Sequence, residues 1–147
     1  MTLRNRLTDL GMRTMNGLHR MLLFVSGGRL GWTIGTMATV ELHTIGRSSG
    51  QRRSTMLTAP VHEGGRYVLV ASKGGDDRNP FWYGNLVAQP NVELTVRGVT
   101  RPFRARTASS AEKAELWPRI VVAYAGYGAY QGRTEREIPV VICDPRP

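Results

Sequence analysis

A single cysteine, Cys143, stands in the 147 residues. No internal disulfide can form, and no CxxC or HxxxH spacing offers a metal site. Histidine is sparse as well. His19, His43 and His62 are scattered and no GxSxG elbow accompanies them, which argues against a serine hydrolase. Long hydrophobic runs are missing. The longest, such as Met21 to Val25, reach about five residues, against the roughly 20 that cross a bilayer. The N-terminus has arginines but no continuous apolar stretch and no small-residue cleavage site, so no secretory leader is read there. A cytoplasmic protein is the expectation. No paired carboxylates stand at a suggestive position, which leaves acid–base chemistry on a substrate without obvious residues.

Lysine is nearly absent too. Of 20 basic residues only Lys73 and Lys113 are lysine, and the rest are arginine. Against 11 acidic residues this gives a net charge of +9. The planar arginine fork grips phosphate and carboxylate at two points. A polyanionic partner is therefore expected: a nucleic acid, an anionic membrane, or a cofactor with an anionic tail.

Leu3, Leu7, Leu10, Thr14, Leu18, Met21, Leu22 and Val25 recur at helical spacing, and residues 1–25 read as an amphipathic helix with Arg4, Arg6, Arg13 and Arg20 mostly off the stripe. A Gly-rich loop, residues 26–36, follows. It is not a dinucleotide fingerprint, because no strand precedes it. Six strands are then predicted, at 37–44, 55–62, 67–71, 91–97, 100–107 and 138–143, mostly joined by hairpins such as "EGGR". Asn79 is read as a cap and Pro80 as the first position of a short helix reaching about Gln89. Ser109 and Glu112 have capping-box spacing and open a helix that Pro118 is expected to kink or divide. The pattern is α+β, with an antiparallel barrel or closed sheet in residues 37–147 and one domain over 1–147.

Three constellations have the residue types for binding or chemistry. In "TIGRSSGQRRS", Gly46 and Gly50 permit a sharp turn, the serines supply hydroxyls, and Arg47 and Arg53 flank a concavity suited to phosphate. A solvated hairpin with surface arginines fits the same residues. In "VASKGGDDRNPFWYGN", Ser72, Lys73, Gly74 and Gly75 follow a buried strand, where backbone amides become free to meet a ligand. A plain Gly-Gly turn fits as well, with Trp82 and Tyr83 as core. Tyr124, Tyr127 and Tyr130 are three apart and would share a helix face, as substrate side or as an aromatic core stripe. Anion grips and aromatics without an acid–base pair are what cofactor-borne chemistry needs.

Together "TIGRSSGQRRS", "VASKGGDDRNPFWYGNL" and "YAGYGAYQGRTEREIPVVICDP" resemble the deazaflavin-dependent nitroreductase family of actinobacteria. The blocks occur in the family's order and cover most of residues 40–145. The resemblance implies an FMN-binding-like split β-barrel that binds coenzyme F-420, an 8-hydroxy-5-deazaflavin with a phosphate and oligoglutamate tail. It implies hydride transfer from the reduced coenzyme to quinones, nitroaromatics or activated enones. By carry-over, Arg47, Ser48, Ser49 and Arg53 hold the phosphate and tail. Ser54, Thr55, Met56, Leu57 and Thr58, with Val70, Ala71, Ser72 and Lys73, line the deazaflavin. Phe81, Trp82, Tyr83, Gly84 and Asn85 cover the linker or ring. Tyr124, Tyr127 and Tyr130 form the substrate side, with Tyr127 also against the cofactor. Two positions depart from the family: many members carry lysine at Ser48 and some carry tyrosine at Thr58. The rival readings are an FMN-binding split-barrel oxidoreductase, a non-catalytic lipid or fatty-acid carrier on the same fold, and a nucleic-acid-binding barrel. Dispersed basic residues and the lack of alternating aromatics speak against the last. The N-terminal helix is expected either to lie on an anionic membrane at the inner face of the plasma membrane or to pack its apolar stripe on the barrel or on a second subunit.

Overall fold

The structure, a computed structural model, describes residues 3–25, 33–34 and 37–147, with side chains over 3–18 and 37–147. The elements run α1 (Leu3–Val25), β1 (Thr33–Ile34), β2 (Met37–Ile45), β3 (Arg52–Ala59), β4 (Val61–Glu63), β5 (Arg66–Val70), α2 (Phe81–Ala88), β6 (Asn91–Val96), β7 (Val99–Thr107), α3 (Ser110–Ala123), α4 (Gly126–Gly132) and β8 (Val140–Pro145). The predicted loop at 26–36 contains β1, which pairs with the start of β2; the rest of that loop lies outside the described residues.

The strands are antiparallel in the order β1-β2-β6-β7-β8-β5-β4, and β3 pairs with the other side of β2. Only Pro60 separates β3 from β4. One run of chain thus pairs β2 through β3 and β5 through β4, which closes the sheet into a barrel of six staves. The six predicted strands are these staves. The second begins earlier than expected, at Arg52, and breaks at Pro60, whose missing N–H interrupts the ladder. The fold is the split barrel that the sequence blocks imply.

Alternation along the strands divides the apolar residues into two clusters. Val40, Leu42, Leu94, Phe103, Ala105, Val141 and Cys143 fill the barrel interior, with Leu86 of α2 closing one end. Burial pushes the Cys143 thiol up to about 12, so it behaves as a small apolar group. Val61, Val68, Val70 and Val140 point outward and meet Ile120 of α3 and Tyr127 of α4. The helices α3 and α4 are thereby fixed over the outer face of β4, β5 and β8.

Three local expectations met different outcomes. The Ser109–Glu112 capping box is formed in both directions, at 3.2 and 2.9 Å. Pro118 does not divide α3, which runs through it to Ala123. Pro118 and Ala114 lie on the exposed side of the helix, where water can satisfy the carbonyl that proline leaves unbonded. Asn79 does not cap α2. Pro80 takes the cap position in extended backbone, and the Asn79 Oδ1 instead accepts a hydrogen bond from Arg136 at 2.9 Å.

The helix α1 lies on the barrel with its described leucines turned outward, which differs from one of the expected arrangements, packing of the stripe on its own barrel. Leu3, Leu7, Leu10 and Leu18 are 60–73% exposed. The side turned to the barrel is polar: Asp9 pairs with Lys73 at 2.9 Å, and Asn16 reaches β3. Among the described residues, the leucines of the apolar stripe do not pack on the barrel of their own chain.

Candidate active site

One edge of β3 faces β2 and the other pairs with no strand among the described residues. Three groups of different chemistry are set along this open edge.

At its start lies the turn 46–51. Gly46 N donates to Gln51 O and Gly50 N to Gly46 O, both at 2.8 Å, and Gly50 adopts φ +68°. The Arg47 N–H donates to Asn85 Oδ1 at 3.1 Å, and Asn85 Nδ2 donates to Thr44 Oγ1 at 3.2 Å. Asn85 is buried and clamps the turn to α2. Gly84 lets the Arg47 guanidinium lie on the helix, since a Cβ there would sit 3.0 Å from Nη1. Neighbouring Arg52 is paired with Glu93 at 3.2 Å. Arg47 and Arg53 have no carboxylate partner among the described residues. Two uncompensated guanidinium groups on one rigid turn suit a phosphate or a carboxylate tail.

In the middle of the edge, the Met56 N–H points away from β2. It donates to the side-chain oxygen of Asn16, at 2.7 Å, and Thr55 Oγ1 donates to the same oxygen at 3.2 Å. Ser54, Met56 and Thr58 share the outer face of the strand, whereas Leu57 packs into the barrel core. Facing this edge is the turn after β5. Ala71, Ser72 and Lys73 are buried, and Lys73, Gly74 and Gly75 all take left-handed backbone, with φ of 47°, 64° and 83°. Gly75 also backs onto α4, where a Cβ would come within 2.8 Å of the Tyr130 carbonyl. The Lys73 ammonium meets Asp9 and stands 5.6 Å from the Phe81 ring. That hydrogen bond holds the Asp9 carboxyl below its usual range.

At the end of the edge, Thr58 Oγ1 and Tyr127 Oη are hydrogen-bonded at 2.8 Å. Tyr124, Tyr127 and Tyr130 form an edge-on cluster with ring centroids 5.4–6.2 Å apart. They do not lie on one helix. Tyr124 caps the C-terminus of α3, while Tyr127 and Tyr130 sit on α4. Burial raises the Tyr127 phenol, and the hydrogen bond to Tyr124, with burial, pushes Tyr130 up to about 12. Both are protonated donors at neutral pH. Thr39, the cross-strand partner of Thr58, is fully buried, and its hydroxyl is the one buried side-chain polar atom without a partner among the described residues.

The fold therefore brings Arg47, Arg53, Ser54, Met56, Thr58, Lys73, Tyr127 and Tyr130 to one edge and its facing turn. It places Trp82 and Tyr83 against the barrel core, with the Tyr83 hydroxyl bonded to Thr107 at 2.8 Å. Phe81 is 76% exposed, and Ser48 lies at the exposed tip of the turn.

A scan against protein-family models matches residues 14–145 to F420H(2)-dependent quinone reductase. The chain belongs to this family. The F420H(2)-dependent quinone reductase Rv1261c of Mycobacterium tuberculosis is 41% identical over 132 residues, 85% of this chain and 86% of the relative. Among solved structures, an F420-H2 dependent reductase, FDR-A, is 39% identical with a TM-score of 0.66, covering 72% of this chain and 93% of that one. A structure described as a domain-swapped dimer gives the same identity and TM-score over 72% of this chain and 79% of that one.

The residues at the edge fit a bound deazaflavin. Arg47 and Arg53 offer unneutralised positive charge for the tail, and the Met56 N–H offers a donor to a ring carbonyl. What the sequence reading missed is how the facing turn is held. The Arg136 guanidinium donates to the carbonyls of Ala71 at 3.2 Å, Ser72 at 2.9 Å and Asp76 at 2.8 Å, and to Asn79 Oδ1. Nothing in "RTEREIP" distinguishes Arg136 from the other arginines before the fold is known. Arg136→Met is expected to destabilise the protein by about 2 kcal/mol or more in urea titration, since hydrogen bonds from a charged group are lost together. The variant should also bind coenzyme F-420 at least about tenfold more weakly under conditions where it remains folded.

Proposed function

We propose that this protein is an oxidoreductase that passes a hydride from reduced coenzyme F-420 to a quinone, a nitroaromatic or an activated enone. The observation that carries the reading is the order of groups along β3. From Arg53 to Thr58 is about 17 Å of extended chain, at roughly 3.4 Å per residue. An anion grip, a backbone donor on the edge unpaired by any strand and a phenol cluster follow one another over that span, as a long cofactor with a charged tail and a planar head requires. The reduced deazaflavin supplies the hydride from C5. Arg47 and Arg53 hold the tail, and the Met56 N–H with the Ser72–Gly75 turn orients the ring. Tyr127 and Tyr130 stand on the substrate side. A quinone that accepts a hydride gains negative charge on oxygen, and a protonated phenol can donate to that oxygen as the charge develops.

Titration of purified protein, followed by deazaflavin fluorescence and by FMN absorbance, tests the cofactor. Coenzyme F-420 is expected to bind more tightly than FMN. Equal or tighter binding of FMN favours the flavin alternative, and binding of neither while fatty acids bind favours the carrier. Arg53→Ala should weaken F-420 binding by about 1.5–3 kcal/mol, tenfold or more, the loss of a charge-assisted contact. Arg66→Ala removes only a surface pair with Asp144 on the β4–β5 hairpin and should leave the dissociation constant unchanged. Indistinguishable constants for the two variants would remove Arg53 from the tail site.

Tyr127→Phe and Tyr130→Phe are expected to lower turnover with a quinone while cofactor affinity holds. Because both phenols titrate above their usual range, wild-type turnover should show no loss assignable to Tyr130 as pH rises from 6 to about 9. Full turnover in both variants would leave the tyrosines as packing alone.

The second part of the proposal concerns where the acceptor is met. No described helix is long and apolar enough to cross a membrane. The exposed leucine stripe of α1, flanked by Arg4, Arg6 and Arg13, has the apolar face and positive charge that an anionic lipid surface attracts. Reversible attachment there would bring the site to a lipid-soluble quinone. Full-length protein should pellet with anionic vesicles at low salt, and a Leu7→Glu, Leu10→Glu double variant should not, while both reduce a water-soluble quinone equally. If neither pellets and the wild type alone sediments as a dimer, the stripe is a subunit interface instead; one solved relative is described as a domain-swapped dimer.

A further inference from the structure

The barrel-facing side of α1 is made of Asn5, Asp9, Met12 and Asn16, four residues at helical spacing, all partly buried while the leucines opposite them are exposed. Three of them meet the candidate cleft itself. The Asn16 oxygen takes the Met56 N–H and the Thr55 hydroxyl. Asp9 takes the Lys73 ammonium at 2.9 Å and Arg78 at 3.4 Å. The Met12 methyl lies 3.9 Å from where a Cβ on Gly74 would stand. A further pair, Arg4 with Asp77 at 2.8 Å, joins the helix to the same turn. A groove of about 480 Å3 does exist on the surface, but it lies between β4 and α3, lined by Pro60, Val61, Pro118 and Val122. The cleft along β3 is filled by α1.

We infer that α1 is a built-in competitor for the coenzyme: Asp9 and Asn16 hold the barrel groups that the coenzyme uses, and the cleft accepts the coenzyme when α1 lifts away. The inference rests on the proposed reading for the position of the coenzyme. The chemistry of the exchange is matched. A carboxamide oxygen on an edge N–H is the same acceptor that a planar ring carbonyl presents, and a carboxylate on a buried ammonium stands in for an anionic ligand. The contacts are also of the kind that open readily. The Asn16 hydrogen bonds and the exposed Arg4–Asp77 pair are replaced by water with little net loss, whereas a buried leucine face would not be, and the buried Lys73–Asp9 pair opens when an anionic ligand takes the place of the carboxylate. The described face of α1 contributes no leucine to the barrel. An occupied cleft lowers the apparent affinity in proportion to the fraction of molecules in which it is open.

The test uses the full chain with Asp9→Ala and Asn16→Ala combined. Neither residue belongs to the proposed cofactor or substrate machinery. Two readouts are needed: the dissociation constant for coenzyme F-420 by fluorescence, and amide hydrogen exchange at Met56 without coenzyme, with Leu42 in the core as the reference. The double variant is expected to bind the coenzyme at least about fivefold more tightly, as the open fraction rises. Its Met56 amide should exchange faster than that of the wild type while Leu42 is unchanged. Unchanged or weaker coenzyme binding overturns the inference, weaker binding meaning that α1 closes over the coenzyme rather than competing with it. If neither protein binds coenzyme F-420, the proposed function falls. Met56 exchange then decides alone: faster exchange in the variant keeps α1 as the occupant of the cleft, and equal exchange overturns that too.

Discussion

The open edge of β3 is the constraint on which the rest of the molecule depends. A strand paired on one side leaves every second N–H and C=O of its other side to find a partner. In most sheets a further strand, a charged residue or a bulge settles the matter. In this barrel the chain turns at Pro60 to pair with β5 instead, so β3 closes the sheet without being covered along its own length. The Met56 donor on that edge is met by a side chain, Asn16, rather than by a strand. The phenols, the arginine turn and the Ser72–Gly75 turn are functional in prospect because they surround that edge.

Around the edge the two turns are fixed by hydrogen bonds and close packing. Asn85, Gly84 and the tight 46–51 turn fix the Arg47 backbone from three sides. Arg136 fixes the facing turn by four hydrogen bonds from one guanidinium. The tyrosine cluster is anchored by Tyr127, whose ring belongs to the packed layer between the sheet and α3. The helix α1 is attached differently, mainly by polar contacts of Asp9 and Asn16, with Met12 beside them.

Much of this was legible in the sequence. Strand positions follow from β-branched runs between glycine turns, and the capping box of α3 from Ser109 and Glu112, because both depend on local chemistry. The three blocks that resemble the deazaflavin-dependent nitroreductases named the family that residues 14–145 match. The grouping of Arg47 with Arg53, and of Tyr127 with Tyr130, could be read from spacing, since each pair lies within one turn or one short helix. Tyr124 joined its cluster by a different route, across a break between two helices, which its three-residue spacing does not reveal.

What the sequence determined by itself is the set of local elements, the family and the residues with chemistry to offer. Which of those residues are free for a ligand was decided only by tertiary structure. Trp82 and Tyr83 read from their own chemistry as core, with a cofactor role implied only by the resemblance, and they pack against the barrel end because α2 lies there. Asn85 reads as a cofactor contact and serves as a clamp, because Thr44 and Arg47 lie 41 and 38 residues away in the chain but within hydrogen-bond reach. The helical stripe of α1 correctly announced an amphipathic helix, yet periodicity cannot say which face meets the protein. A stripe of three polar residues and Met12 fits the barrel because the open edge of a strand and a buried ammonium lie beneath it. That match arises from residues 39 and more positions apart, and no local pattern encodes it.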